Sequence, residues 1–386
     1  MKILLKIFMR IYSLIFLEVI PSDNIVLIAN GIGTFDGSPK MIFLKSKELQ
    51  DSKYKYYWIE KDKSIFKELS KKERNAVYAF SLKGLYLISR AYFYVVSVSS
   101  QDIHPGLKIP KNRVMIQTWH GIPMKEFCKL AKNVYTKKEI KKQIEDCFNP
   151  QNTYILVSSD YEMNSFIKSC DFPKERILKI GHPRYDDMNK IKNNRVQLVK
   201  KEYKKIILYS PTFREDNSFK LFPFYDMKIE NFNEFLLEKN YLLIIKVHPL
   251  HNEMLKEIKE YSNIIKYNRE WKMDNFELFT NIDLLISDYS SIALDFLLTN
   301  KPVAYIQYDL EKYNQIRPIK LKREIVYPGP SINSYREFID EVEKIFNNSN
   351  YYKKERENSI KYFFEYNNFL ASKKVFKFIE RYPRKK

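Results

Sequence analysis

The stretch IDLLISDYSSIALDFLLTNKPVAYI, residues 282–306, decides the fold class of this chain. Ile282 to Ile286, apolar except for Asp283, has the length of a buried strand. The polar segment Asp288-Tyr289-Ser290-Ser291 interrupts it, apolar residues at helical spacing follow, and Asn300-Lys301-Pro302 ends them before a second apolar run to Ile306. A strand, a helix and a second strand in succession argue for a parallel pair with a crossover helix. The two adjacent serines at the first corner have two readings. One of them caps the helix, as Ser commonly does, or their hydroxyls and the first helical N–H groups seat a phosphate.

The same alternation extends in both directions. Runs predicted as strands are 24–29, 54–59, 93–98, 113–118, 153–158 and 177–180 in the first half, and 205–210, 241–247, 263–267, 282–287 and 302–306 in the second. Helical segments separate most of them, which predicts an α/β fold with doubly wound parallel sheets covered on both faces. A lysine-rich polar stretch from Met188 to Lys204 breaks the series. It divides the chain into a first α/β domain, 21–188, and a second, 189–349. A helix over 1–20 precedes them, and a strandless segment, 350–386, is expected to return to the first.

Ligands in such folds bind at the carboxyl ends of the strands. Five polar clusters fall there: TWHG (118–121), GHPR (181–184), SPTFRED (210–216), KVHP (246–249) and SDYSS (287–291). Two lie in the first domain and three in the second, which predicts one cleft between two facing domains. His120 is a candidate general base, because a neutral imidazole takes a proton from an attacking alcohol. Gly121 is expected to supply a sharp turn and a close backbone approach, and Pro123 to open a helix. His248 and Lys246 are candidates for donating to phosphate oxygens. Thr212 and Arg214 add a hydroxyl and a guanidinium, with Arg214 read either as a phosphate fork or as a surface partner of Glu215 or Asp216. Arg184 poses the same choice, with Asp186 and Asp187 as its partners. Ser290 and Ser291 are candidates for a diphosphate seat beside Asp288, and Asp295 for a ribose hydroxyl or a lysine. His104 and His182, each before a proline, read as turn residues. His251 lies near His248, but no carboxylate has matching spacing, so no metal site is expected.

Composition narrows the partners. The net charge of +20 points to polyanions. No zinc spacing, RNA-binding aromatic motif or helix-turn-helix glycine accompanies it, so phosphorylated substrates and an anionic membrane face are preferred over nucleic acid. Cys128, Cys147 and Cys170 form no CxxC pair, which suits unpaired thiols in a reducing compartment. At the N-terminus, Lys2, Lys6 and Arg10 recur every four residues among Ile3, Leu4, Ile7, Phe8 and Ile11. The longest uncharged run, Ile11 to Leu17, falls far short of the roughly 20 apolar residues a spanning helix needs. Two readings stay open: a helix lying in the membrane interface, or one packed on the protein's own core.

Taken in order, QTWHGIPMK (117–125), GHPRYD (181–186), ILYSPTFRED (207–216), IIKVHP (244–249) and ISDYSSIALDFLLTNKPVAYIQYD (286–309) resemble the CDP-glycerol glycerophosphotransferase family of teichoic-acid primases and polymerases and their capsule-building relatives. The likeness covers about Asn24 to Pro330. It implies a GT-B fold of two Rossmann-like domains. It implies a CDP-activated polyol phosphate, glycerol first, as donor, and a hydroxyl of a lipid-linked or growing glycan as acceptor, with release of CMP. It also implies peripheral work at the cytoplasmic face of the membrane. In that family the histidines matching His120 and His248 are essential, and the serines matching Ser290 and Ser291 contact the donor phosphates. No cofactor is required by the sequence, and a divalent cation carried in by the nucleotide is compatible with the same residues. The segment NGIGTFDGSPK (30–40) and the basic RPIKLKREIVYPGP (317–330) depart from the family pattern, and the lack of a long N-terminal region suggests a primase or single-addition enzyme. The alternatives are a GT-B glycosyltransferase using a nucleotide sugar and an inactive membrane-associated scaffold.

Overall fold

In the computed structural model, every run predicted as a strand forms one, with ends shifted by at most two residues. The structure describes residues 2–31, 35–131, 134–188, 201–212, 214, 219–247, 253, 255, 259–267 and 274–384. The first sheet holds β1 (Ile25–Ala29), β2 (Lys55–Glu60), β3 (Ala76–Tyr78), β4 (Phe93–Val96), β5 (Val114–Gln117), β6 (Thr153–Val157) and β7 (Ile177–Lys179). The second holds β8 (Lys205–Tyr209), β9 (Tyr241–Ile245), β10 (Ile264–Lys266), β11 (Leu284–Ser287) and β12 (Val303–Tyr305). Sequence reading does not reveal β3, because Ala-Val-Tyr is too short to display a period.

The two sheets share a strand order. The first runs β3-β2-β1-β4-β5-β6-β7 and the second β10-β9-β8-β11-β12, with every pairing parallel. In each, the first strand of the unit lies inside the sheet with neighbours on both sides: Leu27 faces Tyr57 and Tyr94, and Leu208 faces Ile244 and Leu285. This is the doubly wound, Rossmann-like order, in which the chain reverses direction across the sheet.

Burial on both faces follows from the strand alternation. Ile25, Leu27 and Ala29 join one core cluster with Met9, Leu17 and Leu87. Val26 and Ile28 join the other, with Trp58, Phe93, Val375, Phe376 and Ile379. In the second sheet, Ile207, Tyr209, Leu243, Ile245 and Ile286 pack with Phe232 and Leu236 of helix Ile229–Lys239 and Phe338 and Val342 of helix Tyr335–Asn347.

The chain forms two compact units. Unit 1 comprises Met1–His120, Phe127–Asp187 and Phe364–Lys386, and unit 2 comprises Gly121–Glu126 and Met188–Phe363. This differs from a simple cut at 188 in two places. The segment 121–126 belongs to unit 2, where Lys125 lies over the Tyr313 ring at 5.1 Å and the Glu126 N–H donates to Pro318 O at 3.2 Å. Helix Lys353–Phe363 also stays in unit 2, its Ser359 hydroxyl donating to Ile325 O at 2.7 Å. Helix Ala371–Arg381 is the part that joins unit 1, through Val375, Phe376 and Ile379. Asp186 holds its first turn, accepting from the N–H groups of Ala371 at 2.8 Å and Ser372 at 2.7 Å.

The first helix, Lys2–Ile15, has two apolar faces rather than one. Met9 and, just beyond the helix, Leu17 are buried in the unit 1 core, and Ser13 is buried beside them. Buried Arg113 donates to the carbonyls of Leu17, Ile20 and Ala91 and so fixes the end of this segment. The segment 1–20 is thus built into the first unit. Ile7, Phe8, Ile11, Leu14 and Ile15 nonetheless leave about half or more of their surface in solvent.

Candidate functional site

β5 ends in the loop Thr118–His120, where the backbone turns at an unexpected residue. Trp119 has φ +56°, a left-handed conformation that is costly for a residue with a side chain. Gly121 has no positive φ. Its lack of a side chain serves a close approach: a Cβ there would lie 3.0 Å from Ser291 Oγ, both residues belonging to unit 2. The expected helix at Pro123 is absent. Residues 121–127 are irregular, and only a short 3-10 turn, Cys128–Leu130, follows. The Trp119 ring holds the loop by packing among Phe127, Phe148 and Phe166, at centroid distances of 5.7, 5.3 and 5.4 Å.

His120 rests on the Trp119 ring, centroids 4.3 Å apart, with its own side chain open to solvent. Dense surrounding protein and then the Arg184 guanidinium lower its pKa to about 4, against an opposing hydrogen bond with the Ser97 main chain. At neutral pH the imidazole is uncharged, the form a base requires.

The GHPR segment reaches the same loop. Gly181 takes φ +83°, and the chain then places His182 and Arg184 inward. His182 is not a turn residue. Its Nδ1 lies 3.0 Å from Thr118 O and its Nε2 lies 3.0 and 2.9 Å from the two carboxylate oxygens of Glu162. Glu162 Oε2 also accepts from the Ser158 N–H at 2.7 Å and the Ser158 hydroxyl at 2.9 Å. Arg184 donates through Nη1 to His120 O at 3.0 Å and through Nη2 to the Tyr185 hydroxyl. Its expected partners act elsewhere: Asp186 caps helix Ala371–Arg381, and Asp187 pairs with Lys45 at 2.9 Å. His104 is a turn residue, its Nδ1 2.9 Å from Pro105 O.

In unit 2 the polar residues converge on Asp288, which is buried. Its Oδ1 accepts from the N–H groups of Thr212 at 2.8 Å and Tyr289 at 2.6 Å and from the Thr212 hydroxyl, while its Oδ2 accepts from Arg214 at 2.9 Å. Arg214 is 4% exposed and also forks onto Asp309, Nε to Oδ2 at 2.8 Å and Nη2 to Oδ1 at 3.0 Å. It lies over the rings of Tyr289 and Tyr313, 4.9 and 5.0 Å from their centroids. Burial opposes its charge, but Asp309 and Asp288 outweigh that and hold it more firmly protonated than an ordinary arginine. Arg214 is therefore matched by two carboxylates inside the unit, which corrects its reading as an open phosphate fork. Its alternative partners Glu215 and Asp216 lie outside the described residues.

The serines do not form a simple helix cap. Helix Ile292–Leu297 is only six residues long, and Ser291, at its start, already has helical φ −65° and ψ −12° and makes no side-chain capping bond. Ser290 Oγ meets the Ile292 N–H at 3.4 Å, a weak contact. Both serines are half-buried. Asp295 is 6% exposed on the same helix. Lys246, just past β9, bonds to Asn275 Oδ1 and lies 4.8 Å from the Tyr267 ring centroid. His248, Pro249 and His251 lie outside the described residues. Among the described residues no group of three or more His, Cys, Asp or Glu side chains converges as a metal cage.

Sequence reasoning missed Glu162 and the use of His182. A Glu in the first turn of a helix and a pre-proline His sit twenty positions apart, and no local pattern links them.

The chain matches the model of the CDP-glycerol:poly(glycerophosphate) glycerophosphotransferase family over residues 10–381. It is 29% identical over 373 residues to a teichoic acid poly(glycerol phosphate) polymerase of Bacillus spizizenii, covering 90% of this chain and 91% of that one. It is 29% identical over 288 residues to a teichoic acid glycerol-phosphate primase of Bacillus subtilis, covering 72% and 71%. The solved structure of the wall teichoic acid polymerase TagF superposes with a TM-score of 0.80 at 23% identity, over 97% of this chain and 93% of that one, and shows the shared GT-B fold. The chain belongs to the CDP-glycerol glycerophosphotransferase family and is a transferase.

Proposed function

We propose, from this membership, that the chain transfers glycerol phosphate from CDP-glycerol to a hydroxyl at the end of a growing teichoic-acid-type polymer and releases CMP. The observation that carries the reading is the family match running almost end to end, over residues 10–381. In the proposed step His120 removes the proton of the acceptor hydroxyl. The alkoxide oxygen bonds to the phosphorus that bears glycerol, and the bond from that phosphorus to the bridging oxygen of CMP breaks. Ser290 and Ser291 donate to the diphosphate, beside Gly121, where a side chain would crowd Ser291. Lys246 adds positive charge, and His248 keeps the leaving-group role that the resemblance implies. Asp288, Thr212 and Arg214 hold the loop that carries the serines. Arg214 has its charge matched by two carboxylates, so it does not neutralise the leaving group. Chain length does not separate single addition from polymerisation, since a relative of comparable length is described as a polymerase.

The test is product analysis by mass spectrometry with purified protein, CDP-glycerol, CDP-ribitol, a panel of nucleotide sugars and a synthetic lipid-linked acceptor. CMP and an acceptor heavier by one glycerol phosphate are expected from CDP-glycerol. A nucleoside diphosphate released from a nucleotide sugar overturns the reading in favour of a glycosyltransferase. No turnover from any donor by folded protein favours a scaffold.

The protein is proposed to work on an anionic membrane surface at its cytoplasmic face. No helix among the described residues is long and apolar enough to cross a membrane. What supports surface binding is the exposed face of Ile7, Phe8, Ile11, Leu14 and Ile15, with Lys6 and Arg10 exposed along the same helix. Deleting the segment would also remove Met9 and Leu17 from the core, so the cleaner variant is Ile11→Glu with Leu14→Glu. Loss of co-sedimentation with anionic vesicles at unchanged melting temperature is expected, and undiminished co-sedimentation overturns the assignment.

A further inference from the structure

We infer that His182, Glu162 and Arg184 form a buried brace that fixes the His120 loop in its working geometry, so that they act on the reaction through His120 without touching substrate. The inference rests on the reading of His120 as the base.

The loop needs holding. A left-handed residue that is not glycine persists only where its surroundings over-determine it, and here the residue is Trp119. The carbonyls on either side of it are each taken by a side chain from one short motif. His182 Nδ1 meets Thr118 O, and Arg184 Nη1 donates to His120 O, both at 3.0 Å. A carbonyl and a carboxylate only accept, so Nδ1 of His182 donates toward Thr118 and Nε2 toward Glu162.

The second ring nitrogen is also committed. Glu162 receives Nε2 between its two oxygens, and the Ser158 N–H and hydroxyl fix that carboxylate from the other side. The His182 and Glu162 side chains are 1% and 0% exposed. A ligand cannot reach them, so they are positioning residues. The connected bonds run from Ser158 through Glu162 and His182 to Thr118, two residues before the imidazole that would take the proton. A displacement of about 1 Å at a reacting group costs roughly 10²-fold in rate. A buried, fully bonded relay is a device for preventing such a displacement.

The experiment measures kcat and KM for CDP-glycerol in His182→Ala, His182→Gln and Glu162→Gln, each normalised to folded protein by circular dichroism and thermal melting. For His182→Ala, kcat is expected to fall by about 10²-fold, with KM within about twofold of the wild type. His182→Gln, whose amide N–H reaches toward Thr118 O, is expected to recover part of that loss. Glu162→Gln keeps the side-chain volume and serves if His182→Ala does not fold; about tenfold lower kcat at unchanged KM is expected from looser orientation of the His182 ring. Unchanged kcat per folded molecule in the His182 variants or, failing their folding, in Glu162→Gln overturns the brace. So does a KM that rises in step with the loss, because that would place these residues on the donor. His120→Ala separates the two readings. If it keeps wild-type turnover, the base assignment fails; if it is inactive while the folded His182 and Glu162 variants keep wild-type kcat, only the brace fails.

Discussion

The loop after β5 and the loop after β11 both end an interior strand of a parallel sheet, yet they gain their rigidity from opposite directions. The β5 loop is held from outside: its carbonyls at Thr118 and His120 are taken by His182 and Arg184, which arrive from beyond β7. The β11 loop is held from within: its first residue, Asp288, turns inward and collects N–H groups from Thr212 and Tyr289 and the guanidinium of Arg214. In both, the charged residues serve the protein, and the groups left toward solvent are uncharged, an imidazole in one and two hydroxyls in the other. Charge that must stay in place is buried and paired, because an unpaired buried ion is expensive. The comparison warns against assigning every arginine near a phosphate enzyme's strand ends to phosphate.

The sharpest way to break this contrast is to remove the presented group of the first loop. His120→Ala is expected to lower kcat by about 10² to 10⁴-fold with donor affinity nearly unchanged. Isothermal titration with CDP-glycerol beside a CMP-release assay checks it, and equal losses in both would move His120 into the phosphate site.

Removing a holding group from the second loop should act on stability first. Arg214→Ala leaves buried Asp288 and half-buried Asp309 without their cation, and a loss of about 3 to 5 kcal/mol is expected, read by urea unfolding. A loss below about 1 kcal/mol would mean the guanidinium is available for ligand after all.

Ser290→Ala with Ser291→Ala should do the reverse of Arg214→Ala. Ser291 makes no capping bond and Ser290 only a weak one, so stability should change by less than the roughly 1 kcal/mol of an ordinary cap. Donor affinity should fall about tenfold, the order of a hydrogen bond to a charged group. Unchanged affinity in folded protein would remove these serines from the donor site.

The smallest effect is a shift along the pH axis. As the proposed base, His120 would act only when neutral, and its pKa lies below the ordinary value, at about 4. The acid limb of kcat/KM should therefore fall well below the pH near 6.5 typical of an unperturbed imidazole, with activity lost as pH drops through the lowered value. Arg184→Gln removes a nearby cation, so the limb should move upward. A limb that stays in place would show that Arg184 reaches His120 only through the carbonyl.

The strand runs, the parallel order and the family motifs were legible in the chain because each rests on local pattern: apolar runs, helical spacing and polar clusters at strand ends. The short β3 and the excursion of 121–126 into unit 2 were not, since three residues carry no period and the excursion is recorded in distant contacts such as those with Tyr313, Pro318 and Lys320. His120, Ser290 and Ser291 were visible as candidates, whereas Glu162 was invisible and His182 was misread.

The sequence by itself determined that this chain builds two doubly wound parallel sheets and places His120, Thr212, Lys246 and Ser290 at their strand ends, because hydrophobic periodicity acts within a few residues. Only the tertiary structure decided which polar groups are spent inside. Arg184, Arg214 and His182 read like ligand contacts or turns in one dimension, and partners twenty to ninety-five positions away, Glu162 and Asp309 among them, claim them in three. Pairing of buried charge depends on which distant side chains share a low-dielectric interior, and no local spacing encodes that.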